Sequence, residues 1–206
     1  MTHEDPARTE FSVAGIGDAD AALLLKTVLI PRPIAWVGTL AADGTANLAP
    51  HSFFTMVSSA PPMVMFSSEG RKDTLTNVEA TGQFTISLVD RALAEACNTT
   101  SAPVGPEVDE FALAGLEQEA SAVVAPPRVA ASPAVLECVL ERVVPAGGGH
   151  CMFGRLVHVA VRTDTMVTDA RGRSMPDPAR LDPVTRLGRN EWATVGEVFT
   201  QDRPLA

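Results

Sequence analysis

The chain has no tyrosine in 206 residues, two tryptophans and three cysteines. Without tyrosine, no phenol hydroxyl can serve a reaction. Cys97, Cys138 and Cys151 are odd in number and widely spaced, with no Cys-x-x-Cys pair. That arithmetic supports neither a disulfide framework nor a structural zinc site, and it points to buried free thiols in a reducing cytoplasm. The four histidines (His3, His51, His150, His158) also lack metal-ligand spacing, so no metal is expected. Positive charge is scarce: 16 Lys and Arg against 25 Asp and Glu leave a net charge of −9. Such a balance opposes binding to nucleic acid or to an anionic membrane. No apolar run approaches a membrane span, and the opening Met1-Thr2-His3-Glu4-Asp5-Pro6 has no signal-peptide core.

Several signatures of chemistry are missing as well. No Gly-x-Gly-x-x-Gly follows a strand, so a tightly held Rossmann-type NAD is not expected, and Gly147-Gly148-Gly149 is not that fingerprint. Neither Gly-x-Ser-x-Gly, nor a paired-carboxylate motif, nor His-Glu-x-x-His occurs.

What is present describes one folded unit. Composition is 46% hydrophobic and 20% charged, and the length suits one well-buried domain better than two. Residues 1–20 read as a lead-in and 21–206 as a single domain. Ile34–Leu40 and Thr45–Ala49 are strands joined at Asp43-Gly44, a strong hairpin signal. Met63–Phe66 and Phe84–Val89 are further strands. Between Asp73 and Gly82 the pattern is helical, with Asp73 as cap and Gly82 just past the end. Asp90 caps a second helix to about Cys97, and Asp109–Gly115 holds one short turn. Val135–Val144 and Met152–Thr163 are long strands, Pro126–Pro133 is a loop, and Asp164–Arg180 is a polar excursion. Leu181–Glu197 is mixed. Strands without alternating long helices argue for a mainly β, antiparallel barrel with a few short helices.

Chemistry concentrates between Ile30 and Thr74. Arg71-Lys72-Asp73-Thr74 places two cations and a hydroxyl at a helix start, where a phosphate is well received. The same residues also read as a solvated pair before an ordinary capped helix. Arg32, held rigid between Pro31 and Pro33, and Ser52 can converge there. Asn47-Leu48-Ala49-Pro50-His51-Ser52 offers small residues and main-chain groups freed by Pro50, suited to a flat ring. Ser67 can meet a polyol chain or simply end a strand, and Trp36, Phe53 and Phe54 can wall the pocket or fill core. His150, beside a glycine turn, is the candidate catalytic side chain. Read together, these residues describe a flavin mononucleotide (FMN) site.

An ordered series of short motifs resembles the flavin reductase-like family of FMN-binding split-barrel proteins, which includes flavoredoxins and reductase components of two-component monooxygenases. The series comprises Pro31–Val37, Asp43-Gly44, Asn47–Phe54, Ser58–Met65 and Lys72-Asp73-Thr74 with Asn77. It continues with Asn98–Ala102, Asp109-Glu110-Phe111, Pro126–Val129, Ser132-Pro133-Ala134 and Arg186-Leu187-Gly188. The resemblance implies a split β-barrel, FMN near a homodimer interface, and hydride transfer from NAD(P)H to flavin N5. A monooxygenase component is an implied partner; the alternative is a non-enzymatic electron carrier of the flavoredoxin type. Flavin contacts carry over to Asn47, Leu48, Ala49, Pro50, His51, Ser52, Ser67, Lys72, Asp73 and Thr74, and then to Arg32 and Asn98. Two departures stand out: Gly149 replaces an acidic residue before His150, and Trp192 stands where relatives have tyrosine.

Overall fold

Alternating apolar residues become one antiparallel sheet in the computed structural model, which describes residues 7–204. Its strands are β1 Ala35–Leu40, β2 Ala46–His51, β3 Phe54–Ser59, β4 Pro62–Glu69, β5 Gln83–Ser87, β6 Ala134–Ala146 and β7 Gly149–Val161. They pair in the order β2-β1-β5-β6-β7-β4-β3, each pairing antiparallel. The β1–β2 hairpin closes where the Asp-Gly signal lies. Gly44 adopts φ 91°, open to glycine at little cost, and Asp43 Oδ1 accepts the Thr45 N–H at 3.0 Å.

β1 reads as an unbroken apolar run because both of its faces are covered. Ile34 and Trp36 point into a cluster with Leu48, Val89 and Phe111. Ala35 and Val37 point into the other cluster, with Phe66, Leu75, Phe84 and Met152. Burial of each large side chain there contributes about 1.5–3 kcal/mol, so β1 anchors everything mounted on it. Trp36 belongs wholly to this core, fully buried with its indole N–H donated to Thr100 Oγ1 at 2.8 Å.

Three helices bear on the site. α1 Asp18–Val28 begins within the stretch read as a lead-in and follows a single turn, Val13–Ile16; residues 1–6 lie outside the described residues. α2 Asp73–Thr81 packs Leu75 and Val78, both fully buried, against the sheet. Its cap differs from the expectation. Lys72 takes the extended N-cap conformation and Asp73 is already in the first turn, where its charge still favours the helix dipole. Gly82 ends the helix in the left-handed region as expected, its N–H bonded to Val78 O at 2.9 Å. α3 Ala94–Thr99 follows a turn in which Asp90 Oδ1 accepts the Leu93 N–H at 2.9 Å.

The late segments form strands that local sequence did not announce. Asp164–Arg180 contains a hairpin of Met166–Thr168 with Ser174–Pro176. Leu181–Glu197 contains another, Val184–Arg186 with Trp192–Thr194, and its first strand also pairs with Arg32–Pro33. Tertiary pairing decides these short strands, since three residues carry too little periodicity to declare themselves. The second hairpin presses on α1: a Cβ at Gly188 would lie 2.8 Å from Thr27 Oγ1 and 3.2 Å from Thr27 Cα. Among the described residues no helix is long and apolar enough to cross a membrane.

Candidate functional site

Where β2 ends beyond Pro50 and α2 begins, a cleft of about 490 Å³ opens, within the usual size range of cofactor sites. β2 supplies Asn47, Ala49, Pro50 and His51; β4 supplies Ser67, Ser68 and Glu69; the start of α2 supplies Lys72, Asp73 and Thr74. Five cations line it (Lys26, Arg32, Lys72, Arg186 and Arg189) against three carboxylates, Glu69, Asp73 and Glu110. The cleft therefore reverses locally the negative charge of the chain. Low-dielectric walls focus such a potential toward an anionic ligand. No side chain caps α2, and Lys72, Asp73 and Thr74 at its start line the cleft, where the positive end of the helix dipole favours an anion. Among the described residues the Lys72 ammonium and the Ser52 and Ser67 hydroxyls have no protein partner.

Behind the lining sits a buried polar network. Asn47 Nδ2 donates to both carboxylate oxygens of Glu110, at 3.0 Å each, and the Leu48 N–H reaches Glu110 Oε2 at 2.9 Å. Thr39 Oγ1 and Thr74 Oγ1 both donate to Asn47 Oδ1, at 3.1 and 3.2 Å, and Asn77 Nδ2 donates to Thr39 Oγ1 at 3.0 Å. An acceptor-only carboxylate thus turns the Asn47 amide so that its oxygen meets the two hydroxyls. Burial pushes the Glu110 carboxyl up, opposed by the bonds from Leu48 and Asn47. Asn47→Ala should lower the unfolding free energy by about 2–3 kcal/mol, because a buried carboxylate and two hydroxyls lose partners together. Urea denaturation at pH 7 checks this, and a loss below about 1 kcal/mol would show that the network is not structural.

His51 completes the network. Its Nε2 lies 3.4 Å from Thr74 Oγ1 and its Nδ1 lies 3.3 Å from Ser67 O. Burial, with Lys72 adding to it against the Ser67 carbonyl, pushes the imidazole down to about 4. At neutral pH His51 is therefore a neutral ring that orients its neighbours.

The residues singled out from sequence fall into three groups. Arg32, Asn47, Ala49, Pro50, His51, Ser52, Ser67, Lys72, Asp73 and Thr74 line one cleft. Arg32, however, is occupied: its guanidinium donates to Lys26 O, to Leu29 O at 3.0 Å and to Leu187 O at 2.7 Å, tying α1 to the second hairpin. Leu48 turns its side chain into the core and offers only its N–H, which Glu110 takes. Arg71, Asn98 and His150 are not brought to this cleft. Arg71 is ion-paired with Glu79 on the exposed side of α2. Asn98 lines a smaller neighbouring chamber. His150 pairs with Ser68, a lining residue, across β7 and β4, but it does not itself line the cleft, and its Nδ1 is buried without a hydrogen-bond partner. Phe53 lines the cleft, whereas Phe54 packs against the core.

Four lining residues have no site role in the sequence reading: Lys26, Arg189, and Glu110 and Arg186, which enter it only within family motifs. Lys26 and the hairpin arginines come from segments distant in sequence, brought together by the Arg32–Arg186 pairing, the Arg32 bond to Leu187 O and the Gly188–Thr27 contact. Arg189 sits at φ 54°, an uncommon conformation for a non-glycine residue, of the sort that clusters at ligand sites. Glu110 follows Asp109, the cap of the short helix Glu110–Leu113, and nothing local distinguishes a buried acid from a solvated one.

The arrangement suits a flat ligand carrying an anionic group, and solved structures share its fold. Nitrilotriacetate monooxygenase component B from Bacillus cereus is 31% identical, with a TM-score of 0.89, over 96% of this chain and 100% of that one. The Pseudomonas fluorescens 2-nitrobenzoate 2-nitroreductase is 25% identical, with a TM-score of 0.84, over 95% and 96% of the two chains. Flavoredoxin of Desulfovibrio vulgaris is 26% identical, with a TM-score of 0.77, over 85% and 92%. The shared architecture is the split barrel that the sequence resemblance implied. Residues 27–175 match the flavin reductase like domain, and the chain belongs to that family.

Proposed function

We propose that the chain is an FMN-binding oxidoreductase, an NAD(P)H-dependent flavin reductase. The observation that carries this reading is the cation-lined cleft at the uncapped start of α2, in a chain of the flavin reductase like family. The donor set fits FMN: a phosphate beside Lys72 and the first α2 amides, hydroxyls at Ser52 and Ser67 for the ribityl chain, and Ala49-Pro50 as a flat wall. Bound FMN supplies the hydride-accepting N5 position. The protein's part is to orient, to exclude water and to neutralise phosphate charge. With His51 neutral and Glu110 engaged by Asn47, the cleft provides positioning more than acid–base catalysis. His150 has no role within one chain on this reading. A homodimer is supported by the apolar residues that α1 and β3 leave exposed, including Leu25, Val28 and Met56. Cys97 and Cys138 are buried free thiols and Cys151 is a half-buried one, in keeping with a reducing cytoplasm.

Likeness to flavoredoxin supports a second reading, a carrier that holds FMN and relays electrons between proteins. Anaerobic mixing with NADH and, separately, NADPH distinguishes them. Flavin bands that bleach on a catalytic timescale, with turnover of added free flavin, support the reductase and name its donor. Bound flavin that neither nicotinamide reduces favours the carrier. Protein that stays colourless with added FMN would sink both.

Lys72→Ala should weaken FMN binding by about 1–3 kcal/mol, roughly 5- to 150-fold in Kd, the range for losing a charge-assisted contact. Titration of flavin fluorescence measures it. Unchanged affinity would place the phosphate elsewhere.

A further inference from the structure

A second chamber of about 220 Å³ adjoins the cleft. Pro50, Ser52, Ser101 and Arg186 line both, so the two spaces share a partition. Ile34 is buried in the chamber wall, and Asn98 and Trp192 complete the lining. Trp192 is unusual among the large side chains. A further cavity of about 340 Å³, lined by Arg91, Ala94 and Val184 among others, also borders it, so the indole stands as a wall between two spaces. The indole packs on the core cluster and turns its remaining surface to these spaces. The Arg186 guanidinium carbon lies 4.9 Å from the indole centroid, so charge and aromatic surface are presented together. One Arg186 nitrogen donates to Arg189 O, and the other donors remain for an incoming acceptor.

We infer that this chamber, beside the cleft, is a binding site for a small planar aromatic carboxylate. The volume equals that of about seven water molecules, enough for one ring and far too little for a dinucleotide. Ring atoms lie against Trp192, Ile34 and Pro50; the carboxylate meets Arg186, for which a planar two-oxygen anion is the best partner. Ser52 and Ser101, on the partition, and Asn98 supply neutral hydrogen bonds. Placement against Pro50 puts the ring next to the cleft. The chamber can be tested without flavin.

The test follows tryptophan emission during titration with 4-nitrobenzoate, whose nitro ring quenches an indole that it touches. Trp36 is fully buried, so contact quenching reports Trp192. The full chain is titrated with and without saturating FMN. A saturable quench is expected, absent in Trp192→Phe, at least tenfold weaker in affinity in Arg186→Gln, and at least tenfold weaker for neutral 4-nitrobenzamide. The amide control decides the charge requirement on the unaltered protein if Arg186→Gln fails to fold. A quench that rises linearly without saturating, or equal affinity for acid and amide, overturns the proposal. So does displacement of FMN by nitrobenzoate, which would put the ring in the main cleft. Failure of FMN to bind in its own titration would sink the flavin reading alone, and the quench without FMN would still decide the chamber.

Discussion

Replacing Glu137 by alanine should lower the unfolding free energy by about 3–5 kcal/mol, a range typical of breaking a buried charged group away from its partners. The side chain is fully buried on β6. Its oxygens accept the N–H groups of Ala122 at 2.8 Å, Val123 at 2.7 Å and Val124 at 3.2 Å, with Arg128 Nη1 at 3.4 Å. Burial works to push the carboxyl up, but the three backbone bonds together prevail and hold it below the ordinary glutamate value. An apolar replacement cannot rescue the site, as it can at some buried ion pairs, because backbone donors cannot be mutated away. The Val124 N–H would stay buried without an acceptor, and those of Ala122 and Val123 partly so. Glu137→Gln should lose less than alanine, since one oxygen remains to accept. Urea denaturation of the three proteins at pH 7 measures this. A loss under about 1 kcal/mol in the alanine variant would mean that water reaches the 122–124 loop and replaces the carboxylate.

Stability should also fall by up to about 3 kcal/mol between pH 6.5 and pH 4 through His51 alone. The sign follows from the depressed imidazole, pushed down to about 4 by burial, with Lys72 adding to it. In this window the unfolded chain binds a proton that the folded chain refuses, so acid favours unfolding and stability rises with pH. The contribution is complete above the unfolded value, near 6.5, and is lost as pH falls toward the folded value. His51→Asn should flatten the curve in that interval while leaving the steeper carboxylate loss below it. Equal slopes in the two proteins would assign the pH dependence to other groups.

Much of this site could be read along the chain, for identifiable reasons. Asn47, Ala49 through Ser52 and Lys72 through Thr74 line one cleft because the first set closes β2 and the second opens α2. Pro50 and the start of α2 are both visible locally. Arg71 shows the limit of that reasoning. It neighbours Lys72 in sequence, but the helix start turns it outward to Glu79. Arg32 shows another limit. Its rigid proline setting marked it as purposeful, yet its guanidinium clamps three carbonyls, an arrangement that exists only after α1 and the second hairpin dock.

By itself, the sequence determined the class of the fold and the short-range features. The Asp-Gly hairpin, the apolar run of β1, the Gly82 terminus and the ordered family motifs all depend on residues a few positions apart. Tertiary structure alone decided what long-range pairing assembles. Arg186 reaches Arg32 through a three-residue strand, Glu110 becomes the buried partner of Asn47, Trp192 stands between two cavities, and His150 stays away from the cleft. The physical reason is the same in each case. A side chain's burial, partner and charge state belong to the groups packed around it, and in a sheet ordered β2-β1-β5-β6-β7-β4-β3 many of those groups are far away in sequence.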